Sequence, residues 1–398
     1  MKIRRPEAVS KTAATRSHIT REFKSMAKTL LLGLILAGGQ ILFSPLVKAE
    51  EEFATIISEK IICKEPGRYS AWPSITKSKN GDILVVFSGD RDLHVCPWGK
   101  IEMIRSSDQG RTWTDPEIII DTPIDDRDPG ILETKEGTLI VSWNASMAFD
   151  GYRGSDRYAD HAKTISPEVR QQWTGPWIMR SVDGGETWED PIQTDGFSIN
   201  GPIQLKDGRL LYGTTIYDPQ VTLRVFTSTD DGKTWNILSE TALPEHHAPR
   251  IMYSEPHVIE MDSGKLVCMI RTSSTDKTFK FLFQTESLDG GRTWTEGQVT
   301  PMWGLPPHLL QLKNGWLLVV YGRRKPPYGQ RACISRDQGE TWDIENEVIL
   351  SEAPNEDLGY PVSVQLDDGS ILTVYYEEVA GSTEQPCIQS THWKLNEP

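Results

Sequence analysis

The chain is poor in the residues that build metal and redox centres. Its 398 residues include five cysteines (Cys63, Cys96, Cys268, Cys333, Cys387) and no C-x-x-C pair. That excludes a zinc ribbon and a dense disulfide scaffold. No H-E-x-x-H segment and no glycine-rich phosphate loop occurs, and the adjacent His246 and His247 cannot share a ligand face on a strand. Neither a metal nor an organic cofactor is expected. Positive charge is also scarce, with 42 Lys and Arg against 56 Asp and Glu for a net charge of -14. Residues 1–49 hold nine Lys and Arg but only two Asp and Glu, so the remainder is more acidic still. Such a body is repelled by nucleic-acid phosphate and by anionic lipid, which argues against a nucleic-acid partner. An anionic ligand would have to be gripped by a local cationic site.

Long apolar runs are limited to one, TLLLGLILAGGQILFSPLV, ending at Val47. Gly33, Gly38, Gly39 and Pro45 make it a poor permanent membrane helix, and Val47-Lys48-Ala49 fits a small-residue cleavage pattern. The expectation is a tail and signal peptide over residues 1–49, cleaved after Ala49, with an exported body over 53–398. That body would be periplasmic, on the cell surface or secreted, touching membrane only if the segment stays uncleaved.

What the chain has in abundance is repetition. The pattern S-x-D-x-G-x-T-W occurs five times, ending at Trp113, Trp188, Trp235, Trp294 and Trp342. Its Asp accepts backbone N–H bonds across a tight turn, its Gly adopts a backbone angle other residues resist, and its Trp packs beneath. A second repeat alternates with it: two apolar strands around Gly81, Gly137, Gly208, Gly264, Gly315 and Gly369, each a β-hairpin. Pro73, Pro129, Pro256, Pro307 and Pro361 stand eight residues before five of these glycines, and Asn200 before the other. Four strands repeated six times predict an all-β fold, a six-bladed β-propeller of four-stranded antiparallel blades. The last unit has no octapeptide, so residues Phe53 to Cys63 are expected to supply its outer strand and close the ring.

Antiparallel order puts the glycine turns and the octapeptides on one rim. The starts of the innermost strands, and the loops joining second to third strands, then face the other rim around the axial mouth. The residue before the repeat proline is equivalent in every unit: Trp72, Asp128, Ile199, Glu255, Pro306 and Tyr360. His257 and His308 lie two positions further, on the same strand face. Second-strand ends bring Arg271, Arg323, Arg324 and Glu377 to the mouth, and third-strand starts bring Arg105 and Arg331. A long insertion in blade two, residues 144–177, is expected either as a lid or wall there or as a tolerated surface loop, with a helical stretch after Ser166-Pro167 and with Trp143, Trp173 and Trp177 (and Trp98 from blade one) as candidate stacking surfaces beside a core role.

Five Asp boxes and six hairpins resemble the sialidase (neuraminidase) superfamily, the resemblance covering about residue 60 to the C-terminus. It implies an exo-glycosidase acting on a glycan or glycoconjugate with an acidic terminal sugar, through a tyrosine nucleophile. The family's Glu and following Arg correspond to Glu255 and Arg271, its arginine before the last box to Arg331, and its nucleophile with a later Tyr-Glu pair to Tyr360 and Glu377. The family's blade-one Arg-Ile-Pro reads Ala71-Trp72-Pro73 here, so one carboxylate-binding arginine is absent from its usual place. Arg68 and Arg91, on nearby loops, are the candidates to replace it. The proton donor is open between Asp92, Asp90 and Asp128. Two other readings stand beside this one: a uronate-directed hydrolase or lyase using His257 or His308, and a non-catalytic glycan-binding propeller.

Overall fold

The computed structural model describes residues 31–37, 40–46, 52–151, 156–217, 219–245, 250–382 and 384–396. The chain divides into two compact units, residues 1–51 and 52–398. Within the first, strands Leu31–Ala37 and Gln40–Leu46 pair antiparallel, and the expected cleavage segment at residues 47–49 lies outside the described residues.

The second unit contains six four-stranded antiparallel sheets. Blades one to five each run four consecutive strands outward. Blade six takes its three inner strands from the C-terminal end and its outer strand, Ala54–Cys63, from the N-terminal end of the unit. The ring is therefore closed by pairing the two ends of the unit, as the missing sixth octapeptide implied.

Each hairpin turns the same way. The glycine N–H donates to the carbonyl three residues back, for example Gly81 to Ser78 and Gly264 to Met261, both at 2.9 Å. At Gly81 and Gly264 φ is +92° and +86°, and a β-carbon would meet no atom within 4 Å, so glycine serves backbone angle there rather than space. The second strands are apolar on both sides because each blade is covered on both faces. In Ile83–Arg91, Ile83, Val85 and Phe87 pack toward blade six, while Leu84 and Val86 pack toward blade two. The hydrophobic clusters occupy the six gaps between successive blades.

The Asp boxes tie these gaps together on the turn rim. In all five, the serine hydroxyl donates to the Asp and accepts from the glycine N–H, and the Asp accepts the threonine N–H at 2.9 Å. The box glycine abuts the preceding blade: a β-carbon on Gly291 would lie 2.9 Å from Leu211, and one on Gly110 2.7 Å from Leu372.

On the mouth rim the strands are irregular. The innermost strands of blades one, two, four and six carry a register shift at the residue before the repeat proline. Trp72, Asp128, Glu255 and Tyr360 sit in these bulges with φ of 55°, 54°, 50° and 53°. A bulge opposes two residues to one and re-aims a side chain. Left-handed backbone in a side-chain-bearing residue costs about 1–2 kcal/mol. Four such residues at one structural position concentrate strain at the mouth, while on the turn rim Gln109, Asp231 and Gln338 hold φ of 63°, 61° and 61° within their Asp boxes. The blade-two insertion lies on this rim, with helices Ala159–Thr164 and Pro167–Trp173, the second capped by the Ser166 hydroxyl accepting from the Val169 N–H.

Candidate active site

The bulged residues converge. The Tyr360 hydroxyl donates to Glu255 Oε1 at 2.7 Å, although the two residues are 105 apart in sequence. Arg271, from the end of Leu266–Ser274, donates through Nη1 to both Glu255 oxygens at 2.9 and 2.7 Å and lies 3.2 Å from the Tyr360 hydroxyl. Burial raises the Tyr360 hydroxyl well above the ordinary phenol value; the Glu255 and Asp128 charges push it further, against Arg271 and Arg324. The phenol is neutral at rest, with an ionisable acceptor for its proton already in contact.

Two further arginines complete this group. The Arg324 guanidinium lies 5.8 Å from the Tyr360 ring centre, held by the Leu358 carbonyl and the Tyr376 hydroxyl. Arg127 donates to Asp128 Oδ2 at 3.0 Å and stacks 4.4 Å over Trp72. Trp72 fills the blade-one position edge-on to Tyr360 at 6.4 Å, with Arg91 at 4.7 Å from its ring. Asp128 keeps one buried oxygen, Oδ1, without a partner. A buried unpartnered acceptor at a strained position is a place for a ligand atom.

Most other residues expected in the site are held by partners of their own. Arg331 is 1% exposed; its guanidinium is engaged with the Gln330, Ser351 and Pro327 carbonyls and lies 3.7 Å from Glu347. Glu377 turns to Gln330 and Ser351, and burial pushes its carboxyl up to about 7. Strand alternation instead aims its neighbour Tyr376 at Tyr360, 6.0 Å between rings. Arg91 is fully buried in a two-pronged pair with Asp125, at 2.6 and 3.0 Å. Arg68 bridges Asp90 and Asp92, each at 2.6 Å, which occupies both its terminal nitrogens. Asp92 also accepts from Trp98, and Asp90 pairs with Lys100. His257 and His308 are buried and stacked 4.6 Å apart, accepting the Leu309 and Ser363 N–H groups. Burial pushes His257 down to about 3 and His308 down as well, so both are neutral. Arg323 ends its strand beside Arg324, with a buried Nε that has no partner.

Two clefts flank the centre. One of about 480 Å³, lined by Phe197, Thr215, Tyr217, Tyr253, Glu255 and Arg271, opens along blades three and four. The other, about 310 Å³, is lined by Tyr69, His94, Phe149, Tyr158, Asp357 and Gln385. There the Tyr69 hydroxyl lies 2.9 Å from both Asp357 and His94 Nδ1. Burial opposes ionisation of Asp357, but His94, Tyr69 and Arg324 outweigh it and hold the carboxyl low. A larger cleft, about 680 Å³, lies between blades five and six on the turn rim, away from this chemistry.

The sequence matches the family described as BNR repeat-like domain over residues 160–373. The chain belongs to that family, and its blades are those of a sialidase-superfamily propeller. This BNR-repeat propeller is 24% identical over 370 residues to a sialidase of Bacteroides fragilis, an alignment covering 79% of this chain and 61% of that protein. It thus spans less than two thirds of that relative's length. Among solved structures it resembles a protein of unknown function from Dyadobacter fermentans, at 26% identity and TM-score 0.70, covering 86% of this chain and 100% of the other. A Streptococcus pneumoniae sialidase shares the fold at 14% identity and TM-score 0.62, over 87% of this chain and 71% of that one.

Arg127, Tyr376, His94 and Asp357 belong to the BNR-repeat mouth with no repeat position of their own to mark them, whereas the repeat places Trp72 and Arg324 there without assigning them a role. Their positions carried a signal: Trp72 is the blade-one counterpart of Asp128, Glu255 and Tyr360, and Arg324 is the alternate neighbour of Arg323.

Proposed function

We propose that this propeller hydrolyses the glycosidic bond of a terminal sugar bearing a carboxylate, by way of a covalent bond to Tyr360. The observation that carries the reading is the Tyr360–Glu255 hydrogen bond of 2.7 Å with Arg271 against both groups. Glu255 takes the phenolic proton as the Tyr360 oxygen bonds to the anomeric carbon. The bond from that carbon to the leaving oxygen breaks, and an aspartic acid supplies the leaving oxygen's proton. Asp128 is the acid in this scheme, because Asp92 and Asp90 are engaged by Arg68, Trp98 and Lys100 while Asp128 Oδ1 is open. In the second half water adds to the anomeric carbon, its proton passes to Asp128, and Tyr360 leaves with the proton returned by Glu255.

Arg271, Arg324 and Arg127 favour a carboxylate on the sugar, since guanidinium groups pair strongly with carboxylates in a site shielded from water. Ala71 occupies the place of the family's blade-one arginine, so the third cation comes from blade two or blade five. Sialic acid and uronic acids both meet this requirement. The buried, neutral state of His257 and His308 weighs against a histidine-driven reaction. Export through the tail and signal peptide of residues 1–49, cleaved after Ala49, is part of the reading.

Hydrolysis of aryl sialosides and aryl uronosides by the parent and by Tyr360→Phe tests it. One acidic class is turned over by the parent, with a loss of at least about 10³-fold in the variant. Binding without turnover in the parent would favour a lectin-like role, and undiminished turnover in Tyr360→Phe would remove the covalent scheme.

A further inference from the structure

A line of positive charge leaves the centre along the mouth rim between blades four and five. Arg271 and Arg324 begin it. Beyond them Lys280 stands on the loop before strand Phe281–Ser287, Trp303 ends strand Gln298–Trp303, and Lys325 follows strand Leu317–Arg323. The two lysine amines lie 5.7 and 4.1 Å from the Trp303 ring centre, so one indole holds both. Arg323 adds a guanidinium whose Nε is buried and unpartnered. Burial together with the Arg324 and Arg271 charges holds Lys280 below the usual lysine range; burial and Arg323 do the same for Lys325. Two nearby carboxylates offset the row in part, Glu356 at Lys280 and Glu347 at Lys325, yet both lysines stay below the usual range. Glu255 is bound to Arg271, Glu347 is engaged by the Tyr321 hydroxyl and lies 3.7 Å from Arg331, and Glu356 is exposed.

Cation–π packing on Trp303 accounts for the two lysines but not for their assembly beside Arg323 and Arg324. Gathering like charges costs free energy unless an anion is there to receive them. In a chain of net charge -14 the row is also the local exception to the global field.

We propose that the mouth rim at Lys280, Trp303 and Lys325 is a second binding site, which receives an anionic group (carboxylate or sulfate) on a sugar next to the terminal one. The substrate class is then an anionic oligosaccharide rather than a single acidic sugar on a neutral chain. This rests on the terminal-sugar reading for the position of the first sugar, but its test does not depend on turnover.

The experiment is calorimetric binding to Tyr360→Phe of three tetrasaccharides, one of uronic acids, one sulfated and one neutral, at low and high salt. At least one anionic ligand binds tightly and with steep salt dependence, and the neutral one weakly. Combining Lys280→Gln with Lys325→Gln, which keeps side-chain bulk against Trp303, weakens that anionic ligand by about tenfold or more and flattens its salt dependence. Preference between uronate and sulfate identifies the source of the anion. Equal binding of neutral and anionic ligands overturns the proposal, as does unchanged anionic affinity in the lysine double variant. If the parent hydrolyses no acidic glycoside yet binds through these lysines, the hydrolase reading fails and this one stands. If it hydrolyses acidic glycosides and the lysine changes do nothing, the reverse holds.

Discussion

The turn rim and the mouth rim are made by the same strands, yet they use polar residues in opposite ways. On the turn rim each Asp is surrounded by donors from its own octapeptide, and Asp108 and Asp183 are drawn down to about 2, first by the Thr112 and Thr187 hydroxyls. On the mouth rim Asp128 Oδ1, Arg271 Nε and Arg323 Nε are buried with no partner, and like charges stand side by side. Five near-identical copies of a turn whose Asp carboxylate is satisfied secure the ring, and the buried atoms left unpartnered on that rim, Trp113 Nε1, Trp188 Nε1 and Asp231 Oδ1, lie outside the carboxylate's cage. That security permits four bulged, left-handed residues at the mouth, where satisfaction is left to a ligand.

Substitutions on the two rims should therefore separate turnover from stability. The largest effect is expected from Tyr360→Phe: turnover falls by at least about 10³-fold while the thermal midpoint stays within a few degrees of the parent, measured by scanning calorimetry. Gly291→Ala should do the converse. A side chain at φ +88° with its β-carbon 2.9 Å from Leu211 costs about 2–4 kcal/mol in denaturant unfolding, with turnover of the folded protein unchanged. Arg324→Ala comes next: it removes a cation beside Tyr360 without touching the Glu255 bond, so KM rises by about tenfold or more and kcat changes less.

Smaller effects follow from pH. Glu102 is pushed from 4.5 up to about 8, first by burial and then by Glu65 and Asp90, and its Oε2 has no partner. A carboxyl raised on folding stabilises fully below its unfolded value, and that contribution is lost as pH rises through about 8. Glu102→Gln should flatten the fall of the thermal midpoint between about pH 4.5 and about pH 8. Asp108 and Asp183 act with the opposite sign. Their contribution is present above about pH 4 and is lost as pH falls through about 2, so Asp183→Asn should reduce the slope of acid unfolding.

The fold was legible because its signal is repeated. Six glycine turns and five Asp boxes fix strand count, direction and rim, and the missing sixth box pointed to closure by Ala54–Cys63. The Tyr360–Glu255–Arg271 group was legible for the same reason, since equivalent positions in a ring meet at its axis. Legibility stopped where a single residue of register decides direction. Glu377 and Tyr376 are adjacent, but only Tyr376 faces Tyr360. Arg331 and Arg68 read as free cations, yet backbone carbonyls and an Asp pair claim them, and such partners come from loops with no periodic pattern.

The most direct test is mass spectrometry of the protein after incubation with a fluorinated, carboxylate-bearing glycosyl fluoride, followed by peptide mapping. The expected result is one added sugar mass on the peptide containing Tyr360, absent in Tyr360→Phe. An adduct on Glu255 or Asp128, or turnover of the parent on the corresponding substrate with no adduct formed, would contradict it.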